Sequence, residues 1–300
     1  MELLIVGTGA LGSLFAARLA QAGHHVTMLG TWREGLDAIR NNGLRFIDPD
    51  GNEQTFKIQV TDTPQQNTGV KHSLVLVKAW QTQRAADQLK DCLAPDGLAI
   101  TLQNGLGNRE TLSQSLGADR VALGVTTAGA TLLGPGKVKA GGEGPISIER
   151  SPALGPLEEA LASANFDVRV VEDAQSLVWG KLVINSAINP LTALLRISNG
   201  ELLERPSAYE VMKELARETA RVAHAERIEL PFNDPIAAVE EVARRTAANR
   251  SSMLQDVLRG APTEIDAICG AVVNFGEKHR IPTPANWDCW KLVRALHGSG

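Results

Sequence analysis

Residues 2–12 read ELLIVGTGALG, and the architecture of the first half of the chain follows from that stretch. Glu2 to Val6 is a short apolar run of the kind a buried strand needs, and it feeds straight into Gly7-Thr8-Gly9-Ala10-Leu11-Gly12. A helical pattern then continues to Ala22, Gly23 is placed to cap it in the left-handed conformation, and His25 to Leu29 make a second strand. Gly7 permits the tight turn, Gly9 lets backbone approach a pyrophosphate, and Gly12 lets helix and strand pack closely; the helix N-terminus offers N–H groups to the phosphates. A lone GxGxxG says little. A complete strand, glycine loop, helix and strand in that order makes Gly7, Thr8, Gly9, Ala10, Leu11 and Gly12 candidates for dinucleotide binding.

The residue after the second strand reads the adenosine ribose in such folds. An acid there would accept from the 2'-hydroxyl of NAD, but the chain continues Gly30-Thr31-Trp32-Arg33 and its first acid is Glu34. Arg33 either faces a 2'-phosphate, which favours NADP(H), or is a solvated surface arginine. Further on, residues 36–46 read as a helix with a Gly43 stop, and 51–60 as hairpin strands about a polar turn. Ser73 to Val77 suits the middle of a parallel sheet and ends in Lys78; a helix over 82–93, a Pro95-Asp96-Gly97 turn and a strand over 98–102 lead to Gln103-Asn104-Gly105. Gly7, Lys78 and Asn104 thus all follow strand carboxyl ends, the edge at which open parallel sheets bind ligands. From Arg120 the short strands and glycine turns read as antiparallel or mixed strands extending the same sheet, closed by a helix over 154–164 and a strand over 168–171.

After Glu172 strand patterns vanish. The expected organisation is an α/β N-terminal Rossmann-like domain with a mostly parallel sheet over 1–172 and an all-α domain over 173–300. The first helix of that second domain carries WGKLVINSAINPLTALL (179–195), in which Lys181, Asn185 and Asn189 sit at i, i+4 and i+8 and share one face. Burying an ammonium and two carboxamides is costly unless partners replace water. The stripe therefore reads as a wall of a small polar pocket; the plainer alternative is a snorkelling lysine and asparagines bonded to neighbouring loops. Pro206 starts a helix running to about Arg227, and Asp234-Pro235 supply an N-cap and first residue for the next. Pro262 is placed as another first residue, with Glu264 in that first turn, and a last helix begins near Thr283-Pro284.

Composition narrows the partners. With 43% hydrophobic and 21% charged residues the chain is globular, and a net charge of -4 without a dense basic surface argues against nucleic acid or an anionic membrane as a partner. The cysteines Cys92, Cys269 and Cys289 are odd in number and far apart, which points to free thiols in a reducing compartment and to no metal site. No apolar run reaches the roughly 20 residues needed to span a bilayer, and the N-terminus opens directly into a strand, so the expected location is the cytoplasm. The same pattern is compatible with a homo-oligomer.

The motifs GTGALG (7–12), KAWQT (78–82), LQNG (102–105), WGKLVINSAINPLTAL (179–194), SSMLQD (251–256), PTEID (262–266) and PTP (282–284) together resemble the ketopantoate reductase (2-dehydropantoate 2-reductase) family over essentially the whole chain. The resemblance implies NADPH-dependent reduction of ketopantoate to (R)-pantoate, in pantothenate and coenzyme A biosynthesis. It implies Lys181 as general acid and Glu264 at the cofactor and substrate region, both as catalytic residues. Asn185, Asn189, Asn199, Asn249 and Ser252 would hold a small 2-keto acid, together with Lys181. The glycine loop, Lys78, Asn104 and the backbone near Ala130 would hold NADP. The family often places an arginine directly after the second strand, whereas here Gly30-Thr31-Trp32 intervene before Arg33. Two other readings stand beside this one: a reductase of a different 2-keto acid, and a catalytically silent NADP-binding protein.

Overall fold

The computed structural model describes residues 1–296, which form two compact units. The first comprises Met1–Gln103 and Asn108–Ala174; the second takes the short segment Asn104–Gly107 together with the chain from Gln175 onward.

The first unit runs β1 (Glu2–Val6), α1 (Ala10–Gln21), β2 (His25–Leu29), α2 (Arg33–Asn42), β3 (Leu44–Ile47), β4 (Glu53–Phe56), β5 (Gln59–Thr61), β6 (Val70–Val75), α3 (Thr82–Cys92), β7 (Leu93–Thr101), α4 (Asn108–Leu116), β8 (Val121–Thr126), β9 (Ala130–Gly134), β10 (Lys137–Ala140), β11 (Ile146–Glu149), α5 (Gly155–Ser163) and β12 (Val168–Val171). Eight strands make one sheet in the order β12-β11-β8-β7-β6-β1-β2-β5, parallel throughout except where β11 meets β8. The alternation of β1 explains its place. Leu3 and Ile5 enter a core shared with Phe15 of α1 and Leu157 of α5, while Leu4 and Val6 enter another with Leu89 of α3 and Leu112 of α4. A strand apolar on both faces is stable only in the middle of a sheet covered on both sides, and each such side chain contributes about 1.5–3 kcal/mol.

Gly7 adopts φ +131°, and a Cβ on Gly12 would lie 2.2 Å from the Gly7 carbonyl oxygen, so α1 seats on the turn only because both are glycine. The helix ends as its sequence suggests, with Gly23 at φ +84°.

Four local readings are corrected. The helix expected over 36–46 begins at Arg33 and stops at Asn42; Gly43 at φ +77° breaks it, and Leu44 and Phe46 alternate inward on a strand. That strand, β3, pairs with β4, so the hairpin lies over 44–56 rather than 51–60, and β5 instead joins the edge of the large sheet beside β2. The strands after Arg120 do not all extend that sheet: β8, β11 and β12 do, whereas β9 and β10 build a separate four-stranded sheet, β4-β3-β10-β9, against α1. The Pro95-Asp96-Gly97 turn lies within β7, where the register jumps from Val70 opposite Leu93 to His72 opposite Leu98.

The second unit is helical, with no strand among its described residues: α6 (Ala174–Leu195), α7 (Glu201–Glu204), α8 (Pro206–Ala225), α9 (Pro235–Arg245), α10 (Ser252–Leu258), a π-helical turn (Asp266–Gly270), α11 (Ala271–His279) and α12 (Pro284–Ala295). Trp179, Leu182, Val183, Ile188 and Leu191 of α6 form the centre of its core with Met212, Leu215, Val272 and Val293. Pro190 lies inside α6 and has no N–H for the Ser186 carbonyl; the buried Cys269 thiol lies 3.9 Å from that oxygen and donates to it. Asp234 caps α9 as read, accepting from the Ile236 and Ala237 N–H groups. Pro262 does not start a helix. The coil opens at Asp266, after a bend at Glu264, whose carbonyl accepts from the N–H groups of Ala267 and Ile268.

No described helix is long and apolar enough to cross a membrane.

Candidate active site

In the first unit the glycine loop lies at the carboxyl end of β1. Thr8 and Gly12 are buried, Gly9 is exposed, and a Cβ on Gly9 would meet nothing within 4 Å, so its backbone is open to close approach. No side chain caps the N-terminus of α1, whose first turn carries Ala10 and Leu11. These features fit a pyrophosphate, which needs N–H donors and no intervening side chain.

Lys78 follows β6 at the same sheet edge, half-buried at the start of a 3-10 turn. A part-buried network of residues not singled out from the sequence fixes this edge. Gln103 donates from Nε2 to Val77 O (3.0 Å) and to the Thr82 hydroxyl (2.8 Å), and Thr82 Oγ1 lies 2.8 Å from both Ala79 O and Asn108 Oδ1. Thr82 and Gln103 belong to the KAWQT and LQNG motifs; buried polar types just past strand ends were their only sequence signal. Arg33 is exposed at the first position of α2 with no ion-pair partner among the described residues. Ala130 lies in β9, in the smaller sheet, half-buried against the core that includes α1.

In the second unit, α6 carries the polar stripe. The Lys181 amine is pulled down to about 8 by burial, with the Glu264 carboxylate opposing that shift. Glu264 is itself only 5% exposed, and its Oε2 accepts from Asn104 Nδ2 at 3.1 Å. Lys181, Glu264 and Asn104 therefore form one electrostatic cluster. One and two turns further along α6, the Asn185 and Asn189 carboxamides have no hydrogen-bond partner among the described residues, although Asn189 is 6% exposed. Neither carboxamide is among the fully buried unpaired polar atoms, and Asn185 is half-buried, so both keep polar surface open to water or to a ligand's polar atoms.

The stripe extends one position beyond the three residues read from sequence. Thr192, at i+11 from Lys181, meets the Ser251 hydroxyl at 2.7 Å, and Ser251 caps α10 by accepting from Leu254 N–H. Ser251 is thus the buried anchor, while Ser252, the serine expected at the substrate, is half-buried on the first turn it fixes. Asn199 donates from Nδ2 to Thr246 Oγ1 (2.9 Å), its backbone N–H reaches the Asn249 carbonyl (3.0 Å), and its buried Oδ1 has no partner among the described residues. Asn249 meets Asn199 through backbone, and the residue is exposed.

Gly105 completes the cluster. It adopts φ +80°, and a Cβ there would sit 2.5–2.8 Å from Ala267. Only glycine lets the segment carrying Asn104 lie flat on the turn after Glu264, where Leu106 N–H donates to Ala267 O at 2.9 Å.

The glycine loop at the end of β1 in one unit and the Lys181, Glu264 and Asn104 cluster in the other have the chemistry expected of a nucleotide-dependent oxidoreductase. Residues 3–153 match the model of the family described as ketopantoate reductase PanE/ApbA, and residues 173–297 match its C-terminal model. The 2-dehydropantoate 2-reductase of Halobacterium salinarum is 35% identical over all of both chains, and that of Archaeoglobus fulgidus is 36% identical over 97% of this chain and 96% of its own. Among solved structures, a PanE/ApbA family ketopantoate reductase from Ralstonia eutropha superposes with a TM-score of 0.93 at 32% identity, covering 99% of each chain. A D-mandelate dehydrogenase with NADH and anilino(oxo)acetate also gives 0.93, at 26% identity and the same coverage. The chain belongs to the ketopantoate reductase family.

Proposed function

We propose that this protein reduces ketopantoate to (R)-pantoate with NADPH, in the supply of pantothenate and coenzyme A, and that Lys181 is its general acid. In this reading residues 1–172 hold the cofactor and residues 173–300 hold the substrate and the acid. The observation that carries it is the Lys181 amine, lowered to about 8 beside Glu264, on the same helix face as two carboxamides with no partner among the described residues.

The bound nicotinamide would supply hydride to the ketone carbon. The chain must supply the rest: as the C–H bond forms, negative charge grows on the ketone oxygen, and a cation able to release a proton belongs beside it. A lysine near 8 is protonated at neutral pH yet far more acidic than a solvated one. Glu264, held by Asn104, orients that ammonium and keeps it from losing its proton too early. Asn185 and Asn189 can donate to a carboxylate and accept from a hydroxyl without adding a rival charge, and Asn199 and Ser252 extend the polar surface. Gly7, Thr8, Gly9, Ala10, Leu11 and Gly12 would take the pyrophosphate, with Lys78, Asn104, Glu264 and the backbone at Ala130 as further contacts. Arg33, exposed and with no ion pair among the described residues, is the candidate for the 2'-phosphate and hence for NADP(H) over NAD(H).

A second reading, reduction of an aryl 2-keto acid with NADH, is favoured by the similarity to D-mandelate dehydrogenase. Steady-state NADPH oxidation with ketopantoate, repeated with NADH and with a panel of 2-keto acids that includes the one corresponding to mandelate, separates the two. A clear kcat/KM preference for ketopantoate and NADPH is expected; preference for another acid rejects the assignment, and no turnover with any acid makes the protein a silent nucleotide binder.

A further inference from the structure

We infer that Trp290, acting through Asp266, is a positioning residue: it braces the π-helical turn Asp266–Gly270 and thereby holds the Asn104–Glu264 pair where Lys181 needs it. The effect on turnover rests on the function proposed above; the geometry does not.

The turn is wide because Gly270 N–H bonds to Ile265 O, five residues back, at 3.0 Å; at its end Ala271 N–H goes to Ile268 O, three residues back. In a regular α-helix Ala271 N–H would take the Ala267 carbonyl; here that carbonyl accepts from Leu106 N–H at 2.9 Å. The π register leaves that carbonyl to the segment that delivers Asn104 to Glu264, with no helix N–H competing for it. Such turns are rare, less favourable than α-helix, and need something to hold them.

Trp290 of α12 supplies the hold. Its indole Nε1–H donates to Asp266 Oδ1 at 2.6 Å, at the first residue of the turn. At the other end its ring lies so close to Gly270 that a Cβ there would be 3.0 Å from Nε1 and Cε2. The indole therefore touches both ends of the turn. Lys291 Nζ and the Arg294 guanidinium stand 4.0 Å and 5.8 Å from the ring centroid, and Arg294 Nε lies 3.9 Å from Asp266 Oδ1, further contacts at the exposed side of the indole. Without the indole N–H, the turn can slip to α register, Ala271 N–H competes for Ala267 O, and the Leu106 bond weakens.

The test is Trp290→Phe, which keeps a ring and removes the donor, read first by amide hydrogen exchange on the full chain without substrate. Exchange at Leu106 should rise about tenfold or more relative to wild type. Asp266→Asn, whose carboxamide oxygen still accepts from the indole, should stay near wild type. Asp266→Ala should match Trp290→Phe, and the double variant should be no worse than either alone. With ketopantoate, kcat of Trp290→Phe should fall about tenfold while its NADPH dissociation constant changes less than twofold. Unchanged exchange at Leu106 in both Trp290→Phe and Asp266→Ala overturns the inference, as does an Asp266→Asn variant as impaired as Asp266→Ala, or a kcat equal to wild type despite faster exchange. If Trp290→Phe does not fold, the Asp266 pair decides. Absence of ketopantoate turnover in the wild type rejects the proposed function alone and leaves the exchange result to judge the brace.

Discussion

Asn104 donates from its carboxamide to Glu264 Oε2 across 3.1 Å although 160 residues separate the two in sequence. The bond joins the LQNG and PTEID motifs inside one compact unit and gives a buried carboxylate both a neutral donor and, in Lys181, an opposite charge. A carboxylate this buried is tolerable only with such compensation, so its orientation is set by the fold rather than by solvent.

Glu264→Gln keeps an acceptor for Asn104 but removes the charge that opposes the desolvation of Lys181. The amine should then lose its proton at lower pH than in the wild type. At pH 8, kcat/KM for ketopantoate should fall about three- to tenfold, with a smaller loss at pH 6. Equal losses at both pH values would show that the charge does not act on Lys181.

Burial lowers Lys181 from 10.5 to about 8, and in the proposed reduction the acid form is the working one. Below about 8 the ammonium is intact and kcat/KM should be flat, and above it activity should fall about tenfold per pH unit. A plateau extending past pH 9.5 in a pH–rate profile would exclude this amine as the proton source.

Stability hinges on a different carboxylate. Glu218 of α8 is 2% exposed and accepts from Ala285 N–H, Asn286 N–H and Asn286 Nδ2, each at 2.9 Å, capping α12 in place of a local side chain. Glu218→Ala leaves those donors unpaired and should cost about 2–4 kcal/mol in urea denaturation, with Glu218→Gln costing less.

Gly105→Ala would place a methyl group into Ala267 and force an unfavourable positive φ. It should cost about 1–3 kcal/mol and lower kcat more than it raises the KM for NADPH, both readable from one preparation by denaturation and steady-state kinetics.

Much of this was legible before any coordinates. Continuous apolar runs and glycine placement mark β1, α1, β2 and the central parallel strands, because a strand buried on both faces and a helix seated on a glycine turn leave strong local signals. The i, i+4, i+8 spacing put Lys181, Asn185 and Asn189 on one face of α6. What stayed hidden depends on long-range pairing: which edge β5 joins, why β9 and β10 leave the large sheet for β3 and β4, and the π turn after Glu264. Pro262 carried the local mark of a helix start, yet tertiary contacts moved that start to Asp266. Ser251 and Ser252 are indistinguishable by type, and only the contact with Thr192 tells them apart.

The central claim is that the buried amine on α6 delivers the proton. Single-turnover NADPH oxidation with ketopantoate by Lys181→Ala, with NADPH binding followed in parallel by fluorescence, tests it most directly. Loss of the acid should slow the chemical step about 10²–10⁴-fold while the NADPH dissociation constant stays within about twofold of wild type. A single-turnover rate equal to wild type, with binding intact, would contradict the account.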